Sequence, residues 1–517
     1  MGIRSRLRSR SGGGSSGADP NRYMFFATRN SILYGNLRVA PADTNYVSSM
    51  MYFSCPEYAT NDYRFHFSGF SVGASAPTED RVAGNDMIID EVWFTNNAGS
   101  TWVQGQFSAS NSYTVTSGSE GVWTDPVIFG THTPADGKIG CYLIVHTSVG
   151  QNLLTTYRVQ NHNGERVWGA NNLATLQTQR NTITDASDSR LYNDFTGDFT
   201  GYGQNQQTIY GPDFMVGKGW DGRPVALVCA DSIGESRQEF AVSADARGNL
   251  GYVRRYLDKT SAQGRIPHFV IGCPGVTSQR ELEAASIKRW NVLDSIRAFN
   301  GGKDAWTVIL NQHGNNDIGA SFDINSNTYR SFVARLRARY SGCKIVAMPH
   351  LVQTSSADNW TSVGGQTYSG NNIYPTGTRF LLRDAIEGAT SPYCDAVINN
   401  HVYEDPTDAG KWRTGLFETT LASAVGTDGI VTYPTIPITN TGAIQDDGLV
   451  IVSLNQNRTI RYVSGTTLTL VQPSANILPS GEVLKSRSST DGIHPSPRMC
   501  IYMADNIAQT EKLKLRR

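Results

Sequence analysis

The sequence predicts an α/β fold class, a doubly wound parallel sheet over residues 222–517, preceded by a jelly-roll-like β-sandwich over 22–171 and carrying a small β insertion over 427–485. Three observations carry this. From Pro224 onward, short apolar runs alternate with helix-length patterns, as βαβ units require. Residues 22–169 hold short aromatic and β-branched stretches separated by Gly, Asn, Ser, Thr and Asp, with hardly a helical period among them, the pattern of an antiparallel sandwich. Between Thr427 and Lys485 closely spaced strand-like runs return without a helix-long pattern.

The totals narrow the class. Lys+Arg 45 against Asp+Glu 45 cancel in a chain of 517 residues, so no basic surface points to a nucleic acid partner. No apolar run approaches the roughly 20 residues needed to span a bilayer, and the chain is expected to be soluble, without a membrane partner. The seven cysteines, Cys55, Cys141, Cys229, Cys273, Cys343, Cys394 and Cys500, show no paired spacing. Neither a disulfide framework nor a zinc site is expected from them.

In chain order, residues 1–21 form a basic, Gly/Ser-rich tail. It has no apolar core and so fails as a secretory signal, and Arg6 stands where a myristoylation pattern needs Ser or Thr. Two readings remain: a flexible tail, or a basic arm docking into a larger assembly. Strands are expected at 48–53, 64–67, 87–94 and 141–146; such a domain either binds sugar, docks to a partner or acts as a spacer. Residues 172–221 are polar, contain the echo D-F-T-G-D-F-T-G at 194–201, and read as an irregular connection.

The second half then alternates. A strand at 225–230 precedes a helix near 250–259, a strand at 268–271 and a long helical stretch at 277–299, where Leu282, Trp290, Leu293, Ile296 and Phe299 recur near helical spacing. A strand at 306–310, a helix marked by Tyr329, Phe332, Val333, Leu336 and Tyr340, and a strand at 344–348 follow. The insertion offers strands at 429–433, 448–453, 459–463 and 467–471, and a helix is expected at 498–512. The insertion either overhangs the cleft or forms a solvent-facing ornament or an oligomer contact, so a homo-oligomer is one expectation. Asn457-Arg458-Thr459 is a sequon, of little weight where no secretory signal accompanies it.

The chemistry concentrates at strand ends. The run Val225–Ala230 stops at Asp231, Ser232 and Gly234. A serine hydroxyl is a poor nucleophile until a base takes its proton and donors await the oxyanion. Three later patches offer those parts: G-C-P-G-V-T at 272–277, G-N-N-D at 314–317 and D-G-I-H at 491–494. Ser232, Gly275 and Asn316 each follow a predicted strand, and parallel sheets build sites outside the carboxyl ends of their strands.

On these residues the chain from Pro224 to its C-terminus resembles the SGNH (GDSL-type) hydrolases, a family of esterases, lipases, thioesterases and carbohydrate deacetylases. The resemblance implies that Ser232 is the nucleophile, that Gly275 and Asn316 join the Ser232 amide in the oxyanion hole, and that Asp491 and His494 complete the triad. No cofactor is implied. One departure is Ala230, where the family's G-D-S begins with glycine. A carboxylate and an imidazole on one short turn can hydrogen-bond locally, Asp491 fixing the His494 tautomer while the other ring nitrogen faces the serine.

Other readings of the same residues are structural. Asp231 reads as a turn carboxylate, Asn315 as a turn residue, Asp317 as a loop brace, His268 as a strand-edge residue, and His313, His350 and His401 as polar loop residues without ligand-spaced partners. A rival within enzymes is the nucleophile elbow Ala230-x-Ser232-x-Gly234 of the α/β-hydrolase kind, although Asp491 lies only three residues from His494 and Gly275 and Asn316 would lose their purpose. Large Gly/Asn/Ser/Thr-rich β regions beside such a module also resemble carbohydrate O-acetylesterases, including those on bacteriophage tails. The expected substrate is therefore an O-acetylated polysaccharide, with a virion location and other virion proteins as partners of the N-terminal region. The rival class is a non-enzymatic glycan-binding or structural virion protein.

Overall fold

Five parallel strands form the frame of the second half, in the order His268–Gly272, Ala226–Ala230, Val308–Asn311, Lys344–Ala347, Ala396–Val397. The computed structural model describes residues 18–26, 38–39, 45–72, 80–96, 101–128, 137–146, 151–153, 166–181, 192–193, 210–235, 247, 249–318, 321–368, 372–388, 390–416, 418–423, 433–437, 448–451, 456–464, 467–474, 480 and 482–516. Because successive strand side chains point to opposite faces, Leu227 and Cys229 enter one core while Ala226, Val228 and Ala230 enter another. The second core is closed by the helices Gly251–Asp258 and Pro497–Asn506, through Tyr252, Val253, Tyr256, Met499 and Met503. On the first face lie Ile287–Ser295 and Phe322–Arg339, contributing Trp290, Leu293, Phe332 and Leu336. Both faces of the sheet are therefore covered, as a doubly wound parallel sheet demands.

The amino-terminal half builds two mainly antiparallel sheets of four or more strands, beside the two-stranded pairs Arg38–Val39 with Asn152–Leu153 and Phe70–Val72 with Asp80–Val82. The larger places Tyr46–Ser54 between Arg166–Ala170 and Lys138–His146, with Met87–Asn96 beyond. The smaller runs Met24–Phe25, Phe214–Gly217, Tyr63–Phe67, Val122–Trp123. Facing side chains of the two share one core, in which Phe65 stacks on Phe94 at 3.9 Å between centroids.

The other face of the smaller sheet lies on the parallel sheet. Phe214 stacks on Phe269 at 4.3 Å, and Phe25 stacks on Phe269 at 5.0 Å and on Trp306 at 5.6 Å. Around this aromatic layer the Phe25 N–H donates to Ala305 O at 2.9 Å and Trp123 Nε1 donates to Ser295 Oγ at 2.9 Å. The buried Arg289 joins Asp80 of the first half at 2.9 Å to Glu281 of the second at 3.2 Å.

Several expectations differ from what is seen. The long helix at 277–299 is broken into 3-10 turns at Arg280–Leu282 and Ala284–Ser286, the helix Ile287–Ser295 and a further 3-10 turn at Ile296–Ala298. Glu283 takes extended geometry, and the buried Glu281 carboxylate accepts from Trp290 Nε1 at 3.1 Å beside Arg289; apolar periodicity is blind to such a buried ion pair. The stretch 172–221, expected to be irregular, holds the helix Leu173–Asn181 and the strands Tyr192–Asn193 and Phe214–Gly217. The last is four residues long and wholly buried, too short to register as a period.

The late β region is a six-stranded antiparallel sheet, Glu418–Thr420, Val483–Ser486, Gly448–Ile451, Gln456–Ser464, Thr467–Ser474, Tyr433–Pro437. It draws in Glu418–Thr420 from before the predicted start at 427, and its strand Val483–Ser486 leads directly to the 491–494 turn. Residues 1–17 of the tail, the 194–201 echo and residues 429–432 of one predicted strand lie outside the described residues.

Candidate active site

The strand Ala226–Ala230 is buried at every position and sits where the chain order of the sheet reverses, the place at which open α/β sheets open a crevice. Its carboxyl end turns into the one-turn helix Ser232–Glu235, closed by Glu235 N donating to Asp231 O at 3.0 Å. Ser232 is 5 % exposed at the head of that turn.

His494 Nε2 lies 2.8 Å from Ser232 Oγ, and His494 Nδ1 lies 2.7 Å from Asp491 Oδ2. With the carboxylate as acceptor, Nδ1 carries the proton and Nε2 is left to receive the serine's. The other oxygen, Asp491 Oδ1, accepts the backbone N–H of His494 at 2.9 Å and of Ile493 at 3.0 Å. Burial pushes the Asp491 carboxyl up, but the bond from His494, the electrostatic attraction of that ring and these two backbone donors outweigh it and hold the group below its ordinary value.

The turn that presents this pair is pinned on all sides. His494 O accepts from Ser489 Oγ at 2.7 Å and Thr490 N at 3.0 Å, and Gly492 N donates to Ser489 Oγ at 2.8 Å. Gly492 O accepts from Thr354 N at 3.1 Å and Trp412 Nε1 at 3.0 Å. Gly492 has φ +89°, a conformation costly for any residue with a Cβ. The Trp360 ring lies against it, on a backbone in which Asn359 and Trp360 both have positive φ, 57° and 58°. Two such residues in succession store strain, as Ser108 and Ala109 also do in the first half.

Gly275 and Asn316 stand on the loops flanking the serine strand. Gly275 follows His268–Gly272 and has φ +77°. Asn316 follows Val308–Asn311, and its Nδ2 donates to Val276 O at 3.0 Å, tying the two loops together. An amide carries two N–H groups, so one remains for an oxyanion. Asp317 makes a second tie, accepting from Ser278 N at 3.0 Å and Ser278 Oγ at 3.1 Å; burial pushes its carboxyl up to about 7.

Asp231 lies fully buried as a turn carboxylate, its Oδ1 accepting Ile233 N at 2.9 Å, with burial raising its pKa. Asn315 is not merely a turn residue. Its Nδ2 donates to Asp231 Oδ2 at 3.2 Å, while its Oδ1 accepts Leu351 N at 3.1 Å and Arg379 Nη1 at 2.9 Å. Sequence reasoning missed Arg379 and Trp360. A signal existed for the arginine: of the five buried positions of the helix Thr378–Gly388, four, 379, 382, 383 and 386, follow core-stripe spacing, and two of those are arginines.

The other histidines of the second half bond to neither Ser232 nor Asp491. His268 is wholly buried rather than merely at a strand edge, with Nδ1 2.9 Å from Ile266 O and burial lowering its pKa to about 3. His313 is likewise lowered to about 3 by burial, and its ring meets Phe332 edge-on. His350 Nε2 lies 2.8 Å from Arg379 O, and His401 pairs with Glu387 at 2.5 Å.

No protein-family model and no curated protein matches the chain. Solved structures similar to it include a GDSL-like lipase from Parabacteroides merdae, 13 % identical with a TM-score of 0.28, over 57 % of this chain and 96 % of that one. Another is a carbohydrate esterase family 2 enzyme with a carbohydrate-binding domain from Corynascus thermopiles (Myceliophthora fergusii), 11 % identical with a TM-score of 0.24, over 73 % of this chain and 89 % of that one. A family two carbohydrate esterase from Clostridium thermocellum, solved in complex with cellohexaose, is 10 % identical with a TM-score of 0.21, over 72 % and 87 % of the two chains.

Proposed function

We propose that this protein is a serine esterase working through an acyl-enzyme. The carrying observation is the continuous Ser232–His494–Asp491 hydrogen-bond line, at 2.8 and 2.7 Å, on the rim of a parallel sheet. In this reading His494 Nε2 takes the Ser232 proton as the oxygen attacks an ester carbonyl, and Asp491 stabilises the imidazolium that forms. The carbonyl oxygen becomes an oxyanion held by the Ser232 and Gly275 amides and the free N–H of Asn316. His494 then gives its proton to the departing alcohol. Water attacks the acyl-serine with His494 again as base, and the acid leaves as Ser232 is restored.

For the substrate we propose acetyl esters on a polysaccharide, supported by Gly/Asn/Ser/Thr-rich β regions that resemble those beside carbohydrate O-acetylesterases. Hydrolysis of p-nitrophenyl acetate by the wild type and its loss in Ser232→Ala is the expected result. Equal rates for the two would leave a protein that only grips its glycan. Acetate released from O-acetylated polysaccharide, against slow turnover of long-chain nitrophenyl esters, tests the substrate class.

A further inference from the structure

Arg379 is 1 % exposed in the first turn of the helix Thr378–Gly388. The acyl-transfer steps above give it no task, and a guanidinium withdrawn from water is costly unless its N–H groups find acceptors. Its neighbour Arg383 pairs with Glu404. Arg379 finds only neutral acceptors among the described residues: Asn372 Oδ1 at 2.6 Å from Nε, Asn315 Oδ1 at 2.9 Å and Leu351 O from Nη1, and Gln353 Oε1 at 3.0 Å and Asn315 O at 3.3 Å from Nη2. Burial pushes it down to about 9, so the group still carries its charge at neutral pH.

Two of those acceptors adjoin the proposed machinery. Asn315 precedes Asn316, and its amide reaches Asp231 at 3.2 Å, the residue before Ser232, whose other oxygen holds Ile233 N. Gln353 precedes Thr354, whose N–H holds Gly492 O at 3.1 Å between Asp491 and His494, and whose Oγ1 accepts Trp360 Nε1 at 3.0 Å. A planar fork with five donors in fixed directions can register several loops at once, which a lysine, donating from one point, cannot.

We infer that Arg379 is a positioning residue: its guanidinium holds the Asn316 loop, the Ser232 turn and the 353–354 segment beneath the Asp491–His494 turn in mutual register. The inference rests on the serine-esterase reading, and its test separates the two. Arg379→Lys keeps the charge and removes the fork; Asn315→Ala removes the acceptor that links it to Asp231.

Each is assayed as full-length chain on p-nitrophenyl acetate, with melting followed by circular dichroism, beside wild type and Ser232→Ala. Misplacement of about 1 Å at reacting groups costs about 100-fold. The expected result is thus a drop of that order in kcat for the folded variants, KM changing by less than about threefold. Hydrogen exchange in peptides covering 312–318 and 488–494 is expected to rise about tenfold while the 226–230 strand stays protected.

A folded Arg379→Lys or Asn315→Ala with wild-type kcat and unchanged exchange in those two peptides overturns the inference. Should Arg379→Lys not fold, Asn315→Ala decides alone. If the wild type hydrolyses no faster than Ser232→Ala, the esterase reading fails, and the exchange data still decide whether Arg379 sets these loops.

Discussion

Gly492→Ala is the sharpest single change the geometry offers. With φ at +89°, an alanine there meets the left-handed penalty of about 1–2 kcal/mol. Its Cβ also falls inside the van der Waals shell of Thr354 O and stands 2.9 Å from the Trp360 ring. Backbone atoms cannot yield as a flexible side chain does, so the turn must retreat. Retreat gives up the bonds from Thr354 N at 3.1 Å and Trp412 Nε1 at 3.0 Å, each worth about 1 kcal/mol.

The loss of stability is then about 3 kcal/mol. Because the same turn carries Asp491 and His494, a shift of about 1 Å is expected to lower kcat about 100-fold. Urea unfolding measures the first quantity and steady-state ester hydrolysis the second. A variant that melts with the wild type and keeps kcat within about threefold would refute the claim that this turn is held by close backbone contact.

Two further outcomes follow from other parts of the fold. Asp317 is raised to about 7 by burial, so the folded chain binds this proton more tightly than the unfolded chain, and its contribution to stability fades as pH climbs from about 4 to about 7; the urea midpoint of wild type should fall over that range relative to Asp317→Asn, and a parallel pair of curves would count against it. Phe25→Ala empties a fully buried site between Phe269 and Trp306 and should cost about 3–5 kcal/mol; near-ultraviolet circular dichroism and residual esterase activity should be lost in one shared transition, and two separate transitions would contradict a common core.

Much of the site was legible because its parts are local: a strand-tip serine, a glycine loop, G-N-N-D and D-G-I-H each announce themselves within a few residues. Asp491 and His494 sit on one turn, so sequence spacing and spatial contact coincide. Four strands of the parallel sheet were legible for the same reason, since they are continuous apolar runs; the fifth, Ala396–Val397, is two residues long and gave no such run. What escaped were long-range partnerships. Arg379 reads as one more helix arginine until Asn315, Gln353 and Asn372 close around it. Glu281 reads as a helical residue until Arg289 and Asp80 show why the helix breaks there. Phe214–Gly217 is a strand only because Tyr63–Phe67 and Met24–Phe25 lie on either side of it.

The layer of rings formed by Phe25, Phe214, Phe269 and Trp306 has a practical corollary for anyone engineering this chain. The serine-bearing half is not a cassette to be excised or grafted, since cutting before Pro224 would lay those rings open to water and invite aggregation. The 46–54 and 138–146 sheet, whose far face is itself covered by the helix Leu173–Asn181, is thus tied to the Ser232 half through packed side chains, so its placement is not something a change of linker length would tune.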